Sequence, residues 1–428
     1  MALLPDEIWQ WIFYLATDHL ARREWDDGPM EIPPFDIFRK DADSASADEA
    51  LTVKVSIFLV CKKWQTLSAK FLFEDIRIRQ GSYALAQKLE QPLIPSSDNT
   101  AGAYVRRIVI PVDMSGNWPK TLEANARRIM MACPNTLILA RRMESFRARY
   151  ARRRNFTKIA IDDVQMPRLR RVDWNNAPAL HYDRGVQGFP TFIWSLPALE
   201  ILSVSDYVEG HESHYGKRFP WCLKSKVNAM DSTSLSTIHT LRLESRVNND
   251  FVTDVLEKRL LSVRHLIINF PQGHTFRSSL FNAIGPQLQV VELATRPPVL
   301  IYDLEFNYDD MFWKDILSAC PNLRSFHSHI LYFPTSTESQ SAKSESLKEL
   351  KLLMRTEDND KGQLGPKKHA IYDNLLSTIK LRSRYPLLDR VELHGSGWSS
   401  IYKESLCDDL KRAAVECHVS LSFESVDL

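Results

Sequence analysis

The sequence predicts an α/β chain: an N-terminal three-helix bundle over residues 1–76, then a solenoid of parallel strands with outer helices over 77–428. Three observations carry this. Apolar residues recur at helical spacing near the N-terminus, a short apolar strand motif returns from residue 105 onward, and the segments between its copies carry helical periodicity. With 428 residues, 44% of them hydrophobic and 25% charged, the chain has the composition of a globular protein and the length for more than one domain.

Composition narrows the function classes. Lys and Arg number 55 against 53 Asp and Glu, a net charge of +2, which disfavours a nucleic-acid coat or a membrane-surface protein. No apolar run approaches the ~18 residues of a spanning helix. The apolar N-terminus lacks a basic leader and is interrupted by Asp6 and Glu7, so it does not read as a signal peptide. The six cysteines (61, 133, 222, 320, 407, 417) form no CxxC pair, which argues against a disulfide framework or a zinc ribbon. The expectation is a soluble, reduced, cytoplasmic or nuclear protein.

Leu4 to Phe13 (LPDEIWQWIF) reads as a helix start. Pro5 suits a first helical position, and Asp6 and Glu7 complement the positive end of the dipole. Ile8, Ile12 and Leu15 follow at helical spacing beside Trp9 and Phe13. A second helix is expected from Val53 to Lys63, with Val53, Ile57, Val60 and Cys61 on one side, continuing into Trp64, Leu67, Phe71 and Leu72. Residues 73–78 then alternate as a strand. Residues 21–51, with DDGP, IPPF and the run DADSASADEA, read as an inserted surface loop, or as a short recognition segment around Ile32–Phe38.

These residues carry a resemblance. Leu4, Pro5, Glu7, Ile8, Trp9, Ile12 and Phe13, then Ser56, Val60, Cys61, Lys63 and Trp64, then Phe71 to Ile76 resemble an F-box of the form common in large fungal families. The match covers residues 3–20 and 52–76, and the insertion between them departs from the family pattern. The resemblance implies docking to the Skp adaptor, and through it to a cullin scaffold, of an SCF ubiquitin ligase. The implied adaptor-binding residues are Leu4, Pro5, Ile8, Trp9, Ile12, Phe13, Val60, Cys61 and Trp64.

From residue 105 the pattern L-x-x-L-x-L returns in loose form, from Val105-Ile108-Ile110 and Leu169-Val172-Trp174 to Leu347-Leu350-Leu352 and Leu388-Val391-Leu393. Successive starts at 105, 134, 169, 199, 238, 263, 288, 323, 347 and 388 average about 31 residues apart, against a period of about 20–29 for a leucine-rich repeat. Helices are expected between them at 120–132, 248–262, 308–319, 368–385 and 402–417. Helix ends run into Pro-bearing turns at Cys133-Pro134-Asn135, Leu196-Pro197-Ala198, Cys320-Pro321-Asn322 and Tyr385-Pro386-Leu387. Serial strand–helix order predicts parallel strands with right-handed crossovers. The recurrence of this junction resembles irregular leucine-rich-repeat proteins, and its pairing with an F-box is a familiar arrangement. A doubly wound sheet is the structural rival. Segments 334–346 and 355–368 read as exposed loops.

In such a solenoid, residues between the apolar strand positions line a concave surface suited to a protein partner. They are Arg171, Asp173, Arg242, Glu244, His265, Asn269, Glu292, His327, His329, Lys351, Arg390 and Glu392. Residues 140–155, with seven arginines, read as a helix docked through Met143, Phe146 and Tyr150, bearing a solvated or nuclear-import face. His211 and His214 lack a third ligand, and so do His327 and His329, so no metal set is assigned. Gly362 to Lys368 lacks the spacing and terminal hydroxyl of a phosphate loop, and neither GxGxxG nor GxSxG occurs. No catalytic constellation or cofactor site is expected. The functional expectation is a non-catalytic substrate-recognition subunit of a ubiquitin ligase. Its alternative is a repeat scaffold whose N-terminal bundle only caps the solenoid.

Overall fold

The computed structural model describes residues 4–18, 22, 30–35, 40–78, 81–93, 99–111, 113–114, 121–142, 155–156, 161, 163–175, 192–193, 195–205, 237–244, 260–268, 280–293, 311–330, 333, 343–354, 368–398 and 405–424. The chain forms two compact units: residues 1–32 with 40–238, and residues 33–39 with 239–428. The Arg-rich stretch 143–154, the predicted helix over 248–259, Asn269, and most of 334–346 and 355–368 lie outside the described residues, as do the HESH and GQLG segments.

The first unit opens with α1 (Asp6–Ala16), α2 (Lys40–Phe58) and α3 (Lys62–Phe73). Phe13, Ile57 and Phe71 form their common core, and Trp9, Tyr14, Trp64 and Leu67 pack around it. The Phe13 and Trp64 rings meet edge to face at 5.0 Å, a geometry the ring quadrupoles favour. Lys63 Nζ reaches Asp6 Oδ1 at 2.7 Å, so α3 also holds the first turn of α1.

Two expectations fail here. Residues 40–51, expected as loop, are the first half of α2. The run holds Ala42, Ala45, Ala47 and Ala50 and neither Gly nor Pro, so nothing breaks the helix. Its buried line is Ala47, Ala50, Lys54 and Ile57, at the spacing of one helix face. Val53, Val60 and Cys61, expected on that inner side, are exposed instead. The chain also breaks between the helices at residues 59–61 rather than running on.

A buried charge cluster closes the bundle. Glu74 accepts from Lys54 Nζ at 2.8 Å and from Arg22, which donates as well to Tyr14 O at 2.6 Å. Burial lowers the proton affinity of Lys54, and the neighbouring Glu74 carboxylate opposes the shift. One carboxylate thus compensates two buried cations.

Sheet and bundle share a backbone junction. β1 (Asp75–Arg77) follows α3 directly and pairs in parallel with β2 (Arg107–Pro111), past α4 (Ser82–Glu90). A two-residue strand β3 (Asp113–Met114) and α5 (Thr121–Ala132) precede β4 (Ile138–Arg142). β5 (Asn155–Phe156), paired antiparallel with β3, β6 (Arg171–Asn175) and β7 (Ile201–Ser205) follow. The sheet order is β1-β2-β4-β6-β7, all parallel. Residues 140–142 are therefore strand, not the start of an arginine helix. Pairing sets Arg141 opposite Ile110 and Trp174 on the apolar side, where its guanidinium lies 5.2 Å from the Trp174 ring and burial lowers its pKa to about 10.

The second unit repeats the plan. β8 (Thr240–Glu244), β9 (His265–Ile268), β10 (Val290–Leu293), β11 (Ser325–His329), β12 (Glu349–Leu353), β13 (Arg390–His394) and β14 (Ser420–Glu424) pair in that order, all parallel. α6 (Met311–Ala319) precedes β11, α7 (Lys368–Lys380) precedes β13 and α8 (Ser405–Glu416) precedes β14. In neither unit does the order reverse, which excludes the doubly wound sheet among the described strands.

One hydrogen-bond unit recurs along both sheets. The carbonyl before a strand accepts two successive amides of the next: Glu74 O from Arg106 and Arg107, Arg106 O from Leu137 and Ile138, Arg264 O from Gln289 and Val290, Lys348 O from Asp389 and Arg390. The Cys-Pro-Asn junctions repeat more closely still. Asn135 Nδ2 donates to Ala103 O at 2.9 Å, and Asn322 Nδ2 to Pro286 O at 2.7 Å. The preceding turns come so close that a Cβ on Gly102 would stand 2.0 Å from Ala132 O, and one on Gly285 2.5 Å from Ala319 O. Burial pushes the Cys133 and Cys320 thiols up to about 12.

Candidate functional site

Two surfaces stand out, one in each unit. On α1, Leu4, Ile8, Ile12 and Leu15 follow one another at helical spacing with Trp11 beside them, and all five are exposed. Trp9 and Phe13 occupy the opposite side. Phe13 is wholly buried and Trp9 half-buried, so both belong to the bundle's packing rather than to its outer face. Trp64 is half-buried against them, while Pro5, Val60 and Cys61 are exposed. Of the adaptor-binding set, α1 thus gathers Leu4, Pro5, Ile8 and Ile12 outward. The adaptor-binding set left out Trp11 and Leu15, although Leu15 already stood in the helical series with Ile8 and Ile12.

In the second unit the polar residues form rows across the sheet. Pairing places Arg242, Ile267, Glu292, His327, Lys351 and Glu392 in one row, and Thr240, His265, Val290, Ser325, Glu349 and Arg390 in the row beside it. Alternation sends the residues between them, Leu266, Val291, Phe326, Leu350 and Val391, to the other face, where the Trp313 ring of α6 meets Phe326 at 4.5 Å.

The rows are connected. Ser325 Oγ donates to Glu349 Oε2 at 2.7 Å and lies 2.8 Å from His327 Nε2, whose Nδ1 is 3.3 Å from Glu292 Oε2. Lys351 Nζ pairs with Glu392 Oε2 at 2.8 Å, and the same oxygen meets His394 Nε2 at 3.1 Å. Arg390 NH1 reaches Glu349 Oε1 at 3.3 Å from an exposed edge. Burial lowers the pKa of His327 to about 3 and that of His265 to about 4, so both rings are neutral at neutral pH.

Phe35, from the inserted segment, lies against this face. Its amide donates to Glu292 Oε1 at 3.2 Å, and its ring centroid is 6.1 Å from His327 and 5.4 Å from His394. Its φ of 59° is a left-handed conformation that an aromatic residue seldom adopts. The sequence placed a recognition segment at 32–38 without a docking site for it.

The remaining residues expected on the concave surface divide. His329 lies in the next row, opposite Leu353, and is buried. Arg171 and Asp173, in the first unit, form a buried bidentate pair on one strand face at 3.0 and 2.9 Å. They are committed to each other rather than solvated. Glu244 ends β8.

No family model matches the chain, and no curated protein matches it. A solved structure, the leucine-rich-repeat-containing protein LegL7 from Legionella pneumophila, is similar over 79% of this chain and 89% of its own, with 12% sequence identity and a TM-score of 0.33. Among the described residues, no helix is long and apolar enough to cross a membrane.

Proposed function

We propose that the chain is a non-catalytic interaction protein: a substrate-recognition subunit whose N-terminal bundle docks a Skp-type adaptor and whose second unit holds a protein substrate. The observation that carries the reading is the bare apolar line Leu4, Ile8, Ile12, Leu15 on a helix whose other side already fills its own core. A helix of this kind offers anchors at the spacing a partner groove reads. α3 packs on the turn at Ala101–Tyr104 that opens the repeats. The substrate side rests on the polar sheet face, where Phe35 lies against His327 and His394 and illustrates the aromatic anchor such a face accepts. The protein would contribute proximity, raising the effective concentration of a substrate lysine near a conjugating enzyme. A cytoplasmic or nuclear location and a link to a cullin follow from the same reading.

The test is co-purification of the full chain with a recombinant Skp adaptor, beside an Ile8→Asp/Ile12→Asp variant. Both positions are exposed, so the variant should keep its circular dichroism and elution volume. Capture of the wild type and loss in the folded variant supports the reading. A folded wild type that captures no adaptor overturns it and leaves a repeat scaffold capped by the bundle.

A further inference from the structure

His265, Glu292 and His327 stand on three adjacent strands, and their ligand atoms all lie within 4.8 Å of one another. The Ser325 hydroxyl donates to Glu349 Oε2 and lies 2.8 Å from His327 Nε2, and His327 Nδ1 stands 3.3 Å from Glu292 Oε2. The Nε2 of His265 is buried with no hydrogen-bond partner among the described residues.

We propose that His265, Glu292 and His327 bind a divalent transition-metal ion of the zinc type. Two neutral imidazoles and one carboxylate are a donor set that such ions prefer. Donors ~2.0–2.1 Å from a tetrahedral centre are roughly 3.3–3.4 Å apart, the separation already found between His327 Nδ1 and Glu292 Oε2. The His265 ligand atom lies within 4.8 Å of both. The surroundings fit the same role. The Ser325–Glu349 relay holds the other nitrogen of His327, as outer partners of metal-bound histidines do. The Phe35 amide donates to Glu292 Oε1 and helps hold the carboxylate in place. The nearby buried charge of Arg242 lowers the affinity without supplying a ligand. The site shares nothing with the α1 face, so it stands or falls apart from adaptor docking.

The experiment uses the full chain, stripped with chelator and desalted. Calorimetry with Zn²⁺ and visible absorption with Co²⁺ measure uptake by wild type, His265→Gln, Glu292→Gln, Ser325→Ala and the exposed-residue control His369→Gln. The expected result is one ion per chain, a raised melting temperature on loading, and low-coordinate Co²⁺ absorption free of a thiolate charge-transfer band. His265→Gln and Glu292→Gln should each weaken binding by more than about tenfold, Ser325→Ala by about tenfold, and His369→Gln not at all. His265 is partly exposed, so its substitution is the one least coupled to folding, and circular dichroism checks each variant. A folded wild type that takes up no Zn²⁺ at about 100 µM overturns the assignment. So does binding unchanged in folded His265→Gln, or a thiolate band on Co²⁺.

Discussion

On α1, Ile8, Ile12 and Leu15 stand 44%, 40% and 66% exposed, while on β10 and β11 Glu292 and His327 are 1% and 5% exposed. Each region reverses the ordinary placement of its residue types, and the two reversals have different physical remedies. Bare apolar surface is relieved only from outside, by another molecule's groove. Buried polar groups can be satisfied from within, and here a chain of contacts runs from Phe35 through Glu292, His327 and Ser325 to Glu349. The first region therefore speaks of a partner groove, and the second of a face ordered from within before anything docks on it.

The largest expected effect separates the two sides of α1. Phe13→Ala should cost about 3–5 kcal/mol, since it empties a wholly buried site between Trp9 and Trp64. Ile12→Ala, one residue earlier and outward, should change stability by no more than about 0.5 kcal/mol. Chemical denaturation of the two variants measures both. Equal costs would mean that α1 has no bare side, and the contrast with the sheet would collapse.

The bundle has a buried polar cluster of its own, which limits how far the contrast can be pushed. Glu74→Ala leaves Arg22 and Lys54 buried without their shared carboxylate, and about 3 kcal/mol of destabilisation is expected. Thermal unfolding of the full chain reads it. A loss under about 1 kcal/mol would show that water reaches the two cations and that the bundle is polar only at its margin.

Much of this was legible in the sequence. The apolar positions of the repeats are buried where the L-x-x-L-x-L reading put them: Ile108, Val172, Leu241, Val291 and Leu350 are among the most deeply buried residues. Period-2 alternation of that kind survives irregular spacing because each strand is only four or five residues long. The polar rows were legible as positions but not as contacts. His265 and Glu292 are 27 residues apart in sequence, and only parallel register sets their strands side by side, so a search for ligand spacing along the chain could not join them. The insertion was misread for a different reason: a run of Asp, Ser and Ala looks like a loop by charge and like a helix by propensity, and the tertiary contacts of Ala47 and Ala50 decide for helix. Strand β14 was missed because SLSFE carries only two apolar residues.

Smaller effects test whether the two units are built alike. Asn135→Ala and Asn322→Ala each remove one side-chain hydrogen bond to the preceding turn, Asn135→Ala also losing an exposed bond accepted from Arg168, and each should cost about 1 kcal/mol. Matching values would establish the junction as one structural unit used twice. Thiol labelling at pH 8 gives a second reading: iodoacetamide should modify the exposed Cys61 in the native chain and reach Cys133 and Cys320, whose thiols titrate near 12, only after unfolding. Labelling of one buried thiol and not the other would set the two junctions apart.

The finest test concerns Phe35, where the insertion meets the polar face. Its ring packs near His327 and His394, and its backbone holds a left-handed φ of 59°. Those two properties pull a substitution in opposite directions, so a pair of variants is needed. Phe35→Ala removes the ring and keeps the backbone penalty. Phe35→Gly removes both, and although glycine raises the entropy of the unfolded chain, release of a left-handed residue outweighs it, leaving Phe35→Gly more stable than Phe35→Ala by about 1 kcal/mol. Equilibrium denaturation of the two side by side isolates the backbone term, because the lost ring contacts cancel. If Phe35→Ala is instead the more stable, the turn relaxes out of the left-handed region once the ring is gone. The amide bond to Glu292 would then be held in place by the ring rather than by the backbone, and the polar face would owe its covering to one aromatic side chain.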